Sequence, residues 1–236
     1  MRIDIYYDLI CPWCYIGYYR LRRALGARPD LETQLVWHPF QLNPSLAWRG
    51  TNQDAYLRAR YGSLARARRI VDGISEIARR DGLPIDLNAI RVTPNSTNAH
   101  VLALYHAEAT GNIESAVEML MRAHCAEGLN LGSHRALIEV GRRLGHSERN
   151  LIRLFESGEY RSAIRTRDAS ARRLGIEAVP SLVIDDQFTI SGAQEPNALL
   201  PLFDAAAIAG WYGSGTYASV SERASTTDQE ITVPAQ

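Results

Sequence analysis

The chain contains no lysine: all 26 of its basic residues are arginine. Codon usage in a GC-rich genome accounts for that better than any function does. Net charge is also missing, since 26 acidic residues balance the 26 arginines. A chain without surplus positive charge has no general means of holding nucleic acid or an anionic membrane surface. No stretch is apolar for the roughly 18 residues that a membrane span needs. Nor does the amino-terminal sequence show the charged, apolar and small-residue order of a signal peptide, because Asp4 and Asp8 interrupt its apolar residues. The expected location is the cytoplasm. Only three cysteines occur, too few for a disulfide framework. No internal repeat is visible.

The composition that is present, 46% hydrophobic and 22% charged over 236 residues, suits a globular protein with one large core or a core plus a subdomain. Alternating apolar residues from Arg2 to Tyr7 predict a strand, and helical spacing predicts a helix from Cys14 to Leu25. Glu32 to Phe40 reads as a second strand, ended by Pro39 and the turn-like "QLNPS". From about Asn52 to Leu174 come successive helical segments, most of them starting near a capping residue and ending at glycine. Strand character returns in "AVPSLVID", which forms a hairpin with "QFTISG" through a turn at Asp185 and Asp186. A last helix runs from Pro196 to about Ala209, and the Ser-, Thr- and Gly-rich remainder reads as a flexible tail.

Two of the cysteines form "CPWC" at the predicted strand-to-helix junction. A thiol attacks only as thiolate, and a helix amino terminus favours that anion through its partial positive charge and free N–H groups. Cys11 is placed to attack. Cys14, one turn later, is placed to close a disulfide or resolve a mixed one. Pro12 suits the first turn, where no N–H is needed, and Trp13 covers part of the approach. A half zinc site is the competing reading, but a closed site needs four ligands and no second CxxC or HxxxH pair occurs. No metal is expected, and Cys125 reads as a small packed hydrophobe. Pro180 opens a strand, where proline is allowed, and its pairing with the CxxC favours a cis bond after Val179.

Strand, CPWC, helix, strand, helical insertion and Val-Pro hairpin together resemble the DsbA-like branch of the thioredoxin superfamily. The carrying pieces are "DLICPWCYIG", "PFQLNP", "TPNSTNAH", "RAHCAEG", "GIEAVPSLVID" and "SGAQ", spread in order over residues 1–209. The chain looks most like the FrnE-like members, which are related to 2-hydroxychromene-2-carboxylate isomerase and kappa-class glutathione transferase. The fold class implied is α/β, a thioredoxin-like fold with a large all-helical insertion. Its thioredoxin-like domain would comprise residues 1–45 and 175–209, the insertion and connecting helix 46–174, and the tail 210–236.

The resemblance implies a thiol-disulfide oxidoreductase or disulfide isomerase, with Cys11 attacking, Cys14 resolving and Pro180 facing them. It places Val179 as a backbone partner for a bound thiol or peptide, and Gly192 and Gln194 near a ligand's polar end. Phe40, Asn43, Asn95 and His100 fall in motifs that line a groove between the two subdomains, although a lone helical histidine is more often structural. No cofactor is required on this reading, with a low-molecular-weight thiol, glutathione or an equivalent, as the candidate reductant. The partner is a protein dithiol or disulfide or a small molecule, with homodimer formation open. The alternative activity is a thiolate-dependent cis/trans C=C isomerase acting on a conjugated small molecule or carrier-bound intermediate. Two departures bear on the choice. The buried acid that thioredoxin and DsbA carry six residues before the attacking cysteine is here Ile5, and the isomerase and transferase relatives usually have serine where Cys11 stands. The arginine clusters at Arg58–Arg69 and Arg161–Arg173 read as solvated faces paired with acids.

Overall fold

A computed structural model describes residues 1–213 and 232–234. Its sheet has five strands in the order β6-β5-β1-β2-β7. The central strand, β1 (Arg2–Tyr7), runs parallel to β2 (Gln34–Pro39), pairing Ile3 with Leu35 and Ile5 with Trp37. Parallel neighbours need a crossover, and α1 (Pro12–Gly26) is that crossover. On the other side β1 pairs antiparallel with β5 (Ser181–Ile184), setting Ile5 against Leu182. β5 turns back into β6 (Phe188–Ser191) through Asp185 and Asp186, both at positive φ, as a two-residue hairpin requires. The chain thus carries a thioredoxin-like α/β fold with substantial helical content.

One difference from the sequence reading concerns the faces of β1. Alternation predicts a wet face, yet Asp4 and Tyr6 are as buried as Ile3 and Ile5. Asp4 tolerates this because Arg2 grips both of its oxygens at 2.8 Å and His38 Nε2 lies 2.6 Å away. Burial opposes ionisation there, but the hydrogen bonds from His38 and Arg2 outweigh it and hold the carboxyl below its usual range. A second difference lies in the carboxy-terminal segment. Most of the expected tail lies outside the described residues, but Thr232–Pro234 form β7, antiparallel to β2.

Between β2 and β5 the chain forms α2 (Gln53–Tyr61), α3 (Leu64–Arg80), α4 (Thr97–Thr110), α5 (Ile113–Cys125), α6 (His134–Arg143), α7 (Glu148–Ser157) and α8 (Arg161–Arg173). The long segment 52–82 divides at Gly62, which takes φ +82°, and Ser63 then caps α3 through its hydroxyl. Two-residue strands β3 (Thr51–Asn52) and β4 (Val92–Thr93) pair with each other, too short to leave a pattern in the sequence. Helix α4 is buried at nearly every position from Thr97 through Ala107, packed by α5, α6 and α8. After β6, α9 (Pro196–Gly213) lies against α1.

The helical segment is tied to the sheet just past β2. The Gln41 N–H donates to Asp168 at 2.8 Å, its carbonyl accepts from Arg172 at 2.6 Å, and its side-chain amide donates to Thr97 Oγ1 at 2.7 Å. Arg172 also lies over the Phe40 ring, 4.2 Å from its centroid. The arginines of α8 are therefore not simply a solvated face. Arg161 reaches Asn98 and the Phe155 carbonyl, with its guanidinium over Trp48.

A histidine pair fastens the helices elsewhere. His106 Nδ1 and His146 Nε2 are 2.8 Å apart, and His106 Nε2 meets Ser115 Oγ at 2.9 Å. Burial lowers the pKa of both, and His146 lowers that of His106 further; burial also lowers His124, whose Nδ1 donates to the Leu129 carbonyl. The folded state thus holds these rings neutral while the unfolded chain protonates them near pH 6.5. Their contribution is complete above that value and is lost as pH falls through it toward the lower folded-state values. We expect the urea midpoint to drop over that acid range, and His146→Gln to flatten the drop. An unchanged slope in the variant would remove the pair from the acid sensitivity.

Candidate functional site

The strand-to-helix junction fixes Cys11. It is the N-cap of α1, in extended conformation at φ −91° and ψ 114°, with Pro12 as the first helical residue. Its N–H donates to the Asp8 carbonyl at 3.1 Å, and its own carbonyl accepts from the N–H groups of Cys14 and Tyr15. The Cys11 Sγ lies 3.8 Å from the Val179 carbonyl oxygen, to which its S–H donates. Residues 168 apart in sequence thus meet at the thiol.

Cys14 sits one turn deeper, 1% exposed against 4% for Cys11. The Asp8 N–H donates to Cys14 Sγ at 3.5 Å. Burial pushes the Cys14 thiol well above its ordinary range, helped by its hydrogen bond to Cys11 and the Cys11 charge; the Asp8 N–H works the other way. All three cysteines are free and buried. Cys125 is fully enclosed, and burial raises its pKa too, with smaller contributions from Cys11 and Asp8.

The facing segment is built around Val179 and Pro180, joined by a cis peptide bond. The Pro180 carbonyl accepts from the Gly192 N–H at 2.7 Å, and Ser181 Oγ donates to the Ala178 carbonyl at 2.7 Å. Gly17 permits α1 to come this close: a Cβ there would lie 2.9 Å from Pro180 Cγ and 3.4 Å from Ala193 Cα. Arg20, on the next turn, is 6% exposed and donates to the Ala193 carbonyl while pairing with Asp81 and Glu195. The helix and the loop after β6 are locked together at this point.

Of the residues singled out in the sequence, Cys11, Cys14, Val179 and Pro180 come together here. Pro12 and Trp13 are half-buried beside them. Gly192 and Gln194 share a narrow apolar gap with Cys14, Gly17 and Pro180, and the Gln194 amide donates to the Ser191 carbonyl. Asn43 is half-buried with its amide nitrogen unpartnered. Asn95 borders a groove with Trp48 and Arg165, but its amide is used to hold the carbonyls of Pro44 and Leu46 while its oxygen accepts from Thr97. Two residues expected to line the groove do not reach it. Phe40 is buried beneath Arg172, and the His100 side chain is 0% exposed and faces Asp8. α4 is packed on every side, so its inward-pointing histidine has no route to the surface.

Sequence reasoning also missed an acid. Asp8, three residues before Cys11, is 0% exposed, with Oδ2 accepting from the Leu42 N–H at 2.7 Å and Oδ1 3.4 Å from His100 Nε2. The buried acid next to the CxxC is therefore Asp8, while position 5 is Ile5. A polar residue closing an apolar strand directly before the CxxC is the signal that could have found it. Among the described residues no group of three or more His, Cys, Asp or Glu side chains is arranged to hold a metal ion, and no helix is long and apolar enough to cross a membrane.

Solved structures with the same architecture include a "probable DsbA oxidoreductase" from Streptomyces coelicolor, 25% identical, covering 93% of both chains with a TM-score of 0.80. A 2-hydroxychromene-2-carboxylate isomerase is 16% identical, with 92% of this chain and 100% of that one covered and a TM-score of 0.62. The cytosolic disulfide reductase DsbM from Pseudomonas aeruginosa, solved with glutathione, is 18% identical over 90% of this chain and 98% of that one, with a TM-score of 0.58. The latter two likenesses establish a shared fold. No curated protein matches the chain. Residues 2–203 match the DSBA-like thioredoxin domain, and the chain belongs to that family.

Proposed function

We propose that the protein is a thiol-disulfide oxidoreductase or disulfide isomerase in which Cys11 attacks and Cys14 resolves. The observation that carries this reading is the pairing of a helix-capping thiol, 3.8 Å from the Val179 carbonyl, with a second thiol one turn beneath it. Cys11 opens a substrate disulfide and forms a mixed disulfide. Cys14 then attacks Cys11 Sγ and releases the substrate thiol. The Val179 carbonyl, contacted by Cys11 at rest, is free to accept a backbone or thiol donor from the substrate once that thiol is engaged. A low-molecular-weight thiol that returns the pair to the dithiol is consistent with the family, as is a reducing compartment.

The functions of the two sulfurs separate this reading from single-thiolate isomerisation of a conjugated alkene. Cys11→Ala should abolish activity on either reading. Cys14→Ala should lose net reduction of insulin disulfides and accumulate mixed disulfides at Cys11, seen by mass spectrometry. A wild type without redox turnover, together with a Cys14→Ala variant that still interconverts a conjugated substrate's geometries, would establish the isomerase instead.

The close approach at Gly17 supplies a second test. Gly17→Ala puts a methyl where Pro180 Cγ now lies within 2.9 Å, so α1 and the Val179–Pro180 segment must separate. Turnover should fall by about tenfold, because small misplacements of reacting groups are costly, while thermal unfolding shows a loss of about 1–3 kcal/mol. Full activity in this variant would mean that the distance between α1 and Pro180 is not critical.

A further inference from the structure

Arg161, Arg165, Asp168 and Arg172 follow one another along α8 at intervals of three and four residues, which puts them on one face of the helix. Three of them are engaged. Arg161 lies over the Trp48 ring and donates to Asn98 and the Phe155 carbonyl. Asp168 accepts from the Gln41 N–H, and Arg172 holds Asp168 at 3.1 Å together with the Gln41 carbonyl. Arg165, between them, has no hydrogen bond, ion pair or ring contact among the described residues. Asp168 is three residues on, but its oxygens are taken by Gln41 and Arg172. Arg161 and Arg165 thus carry two positive charges that no carboxylate among the described residues matches.

Arg165 borders a groove of about 360 Å³ between α8 and the loop after β2, with Leu46 and Trp48 on the loop side and Asn95 and Thr97 at the start of α4. The loop carries apolar surface from the redox pair to this groove. Its first residue is Leu42, 40% exposed, whose N–H is held by Asp8 three residues before Cys11. Pro44 and Leu46 follow, and the strip ends at Trp48, 49% exposed. Large apolar side chains left in water, leading from a reactive thiol to an unmatched cation, mark a binding surface.

We infer that this groove docks a polypeptide substrate carrying an acidic residue a few positions from its reacting cysteine. The inference rests on the redox reading above and names the substrate class for it. Arg165 receives the carboxylate through two parallel N–H groups, the match that a guanidinium fork offers to two carboxylate oxygens. Arg161 adds its positive field from beside Trp48, and the exposed part of the indole covers the neighbouring apolar groups of the peptide. The strip favours a polypeptide over a small acid, because a small acid held at Arg165 leaves Leu42 uncovered. An extended peptide advances about 3.3 Å per residue, so spacings of two to five residues place the carboxylate about 7–17 Å along the chain from the reacting sulfur.

Short peptides whose single cysteine is linked to a pyridine thiol, coloured on release, test the inference by stopped flow with the reduced protein. Each peptide carries glutamate, glutamine or arginine two to five residues from the cysteine, and each rate is divided by that of the same peptide with a free dithiol. At the best spacing glutamate should react about tenfold faster than glutamine, the size of one charge-assisted contact at a partly exposed site, and arginine more slowly than either. High salt should shrink the ratio. Arg165→Gln should bring it close to one, and Arg165→Glu should turn the preference toward arginine. Because the readout is a ratio between peptides on one protein, a uniform loss of activity in a variant does not move it. A ratio near one in the wild type, or a preference for glutamate that survives both substitutions, would overturn the inference. So would an acid preference confined to small aromatic disulfides and absent from every peptide. A wild type that releases no pyridine thiol from any peptide would defeat the redox reading, and the inference with it.

Discussion

Everything at the site depends on one close packing contact, that of α1 against the Val179–Pro180 segment. The helix brings its amino terminus to β5 only because Gly17 presents no Cβ to Pro180. Arg20 then fixes the separation from the next turn, gripping the loop after β6 through Ala193 and Glu195 and the end of α3 through Asp81. Remove that contact and the Cys11 thiol faces no carbonyl, whatever the state of Cys14. The sheet register supports it from below: Ile5 pairs with Trp37 on one side and Leu182 on the other, so the strand feeding the CxxC and the strand following Pro180 are neighbours by hydrogen bonding.

The helical segment contributes by closing the underside of this arrangement. α4 and α5 supply His100, His124 and Cys125 to the buried region around Asp8, while α8 is held to the sheet through Asp168, Arg172 and Gln41. The result is a redox pair with two different surroundings. Cys11 lies at a helix end against a backbone carbonyl, and Cys14 lies in a closed interior where any charge must be matched by another. A disulfide chemistry that passes from the first sulfur to the second passes deeper into the core, to the thiol whose pKa burial raises.

How much of this could be read from the sequence depends on the range of the signal. β1, α1, the helical series and the Asp185–Asp186 hairpin are local patterns of period and turn chemistry, and they stood out. So did the CPWC and the Val-Pro pair, because residue type alone carries their chemistry. The burial of Asp4 and Asp8 did not, since a carboxylate in an apolar strand is read as solvent-facing unless its partners are known, and those partners, His38 and Leu42, belong to other segments. His100 was misplaced for the same reason. The family motif suggested a groove-lining side chain, and only the packing of α5, α6 and α8 around α4 shows the histidine enclosed. The two-residue ladder of β3 and β4 is below the length at which alternation exists.

The pairing of Thr232–Pro234 with β2 bears on how the protein behaves in a crowded solution. An uncovered sheet margin offers unpaired N–H and C=O groups to any passing strand and is a common start of aggregation. Here β7 covers the β2 margin, so among the described residues the sheet's open edges are the three-residue β7 and, on the other side, β6. That strand is four residues long, turns Thr189 and Ser191 to water, and stops at Gly192, whose φ of +86° bends the chain away. A foreign strand would find room for little more than one pair of hydrogen bonds there. The protein's colloidal stability, for a molecule of zero net charge, rests on those short margins more than on electrostatic repulsion.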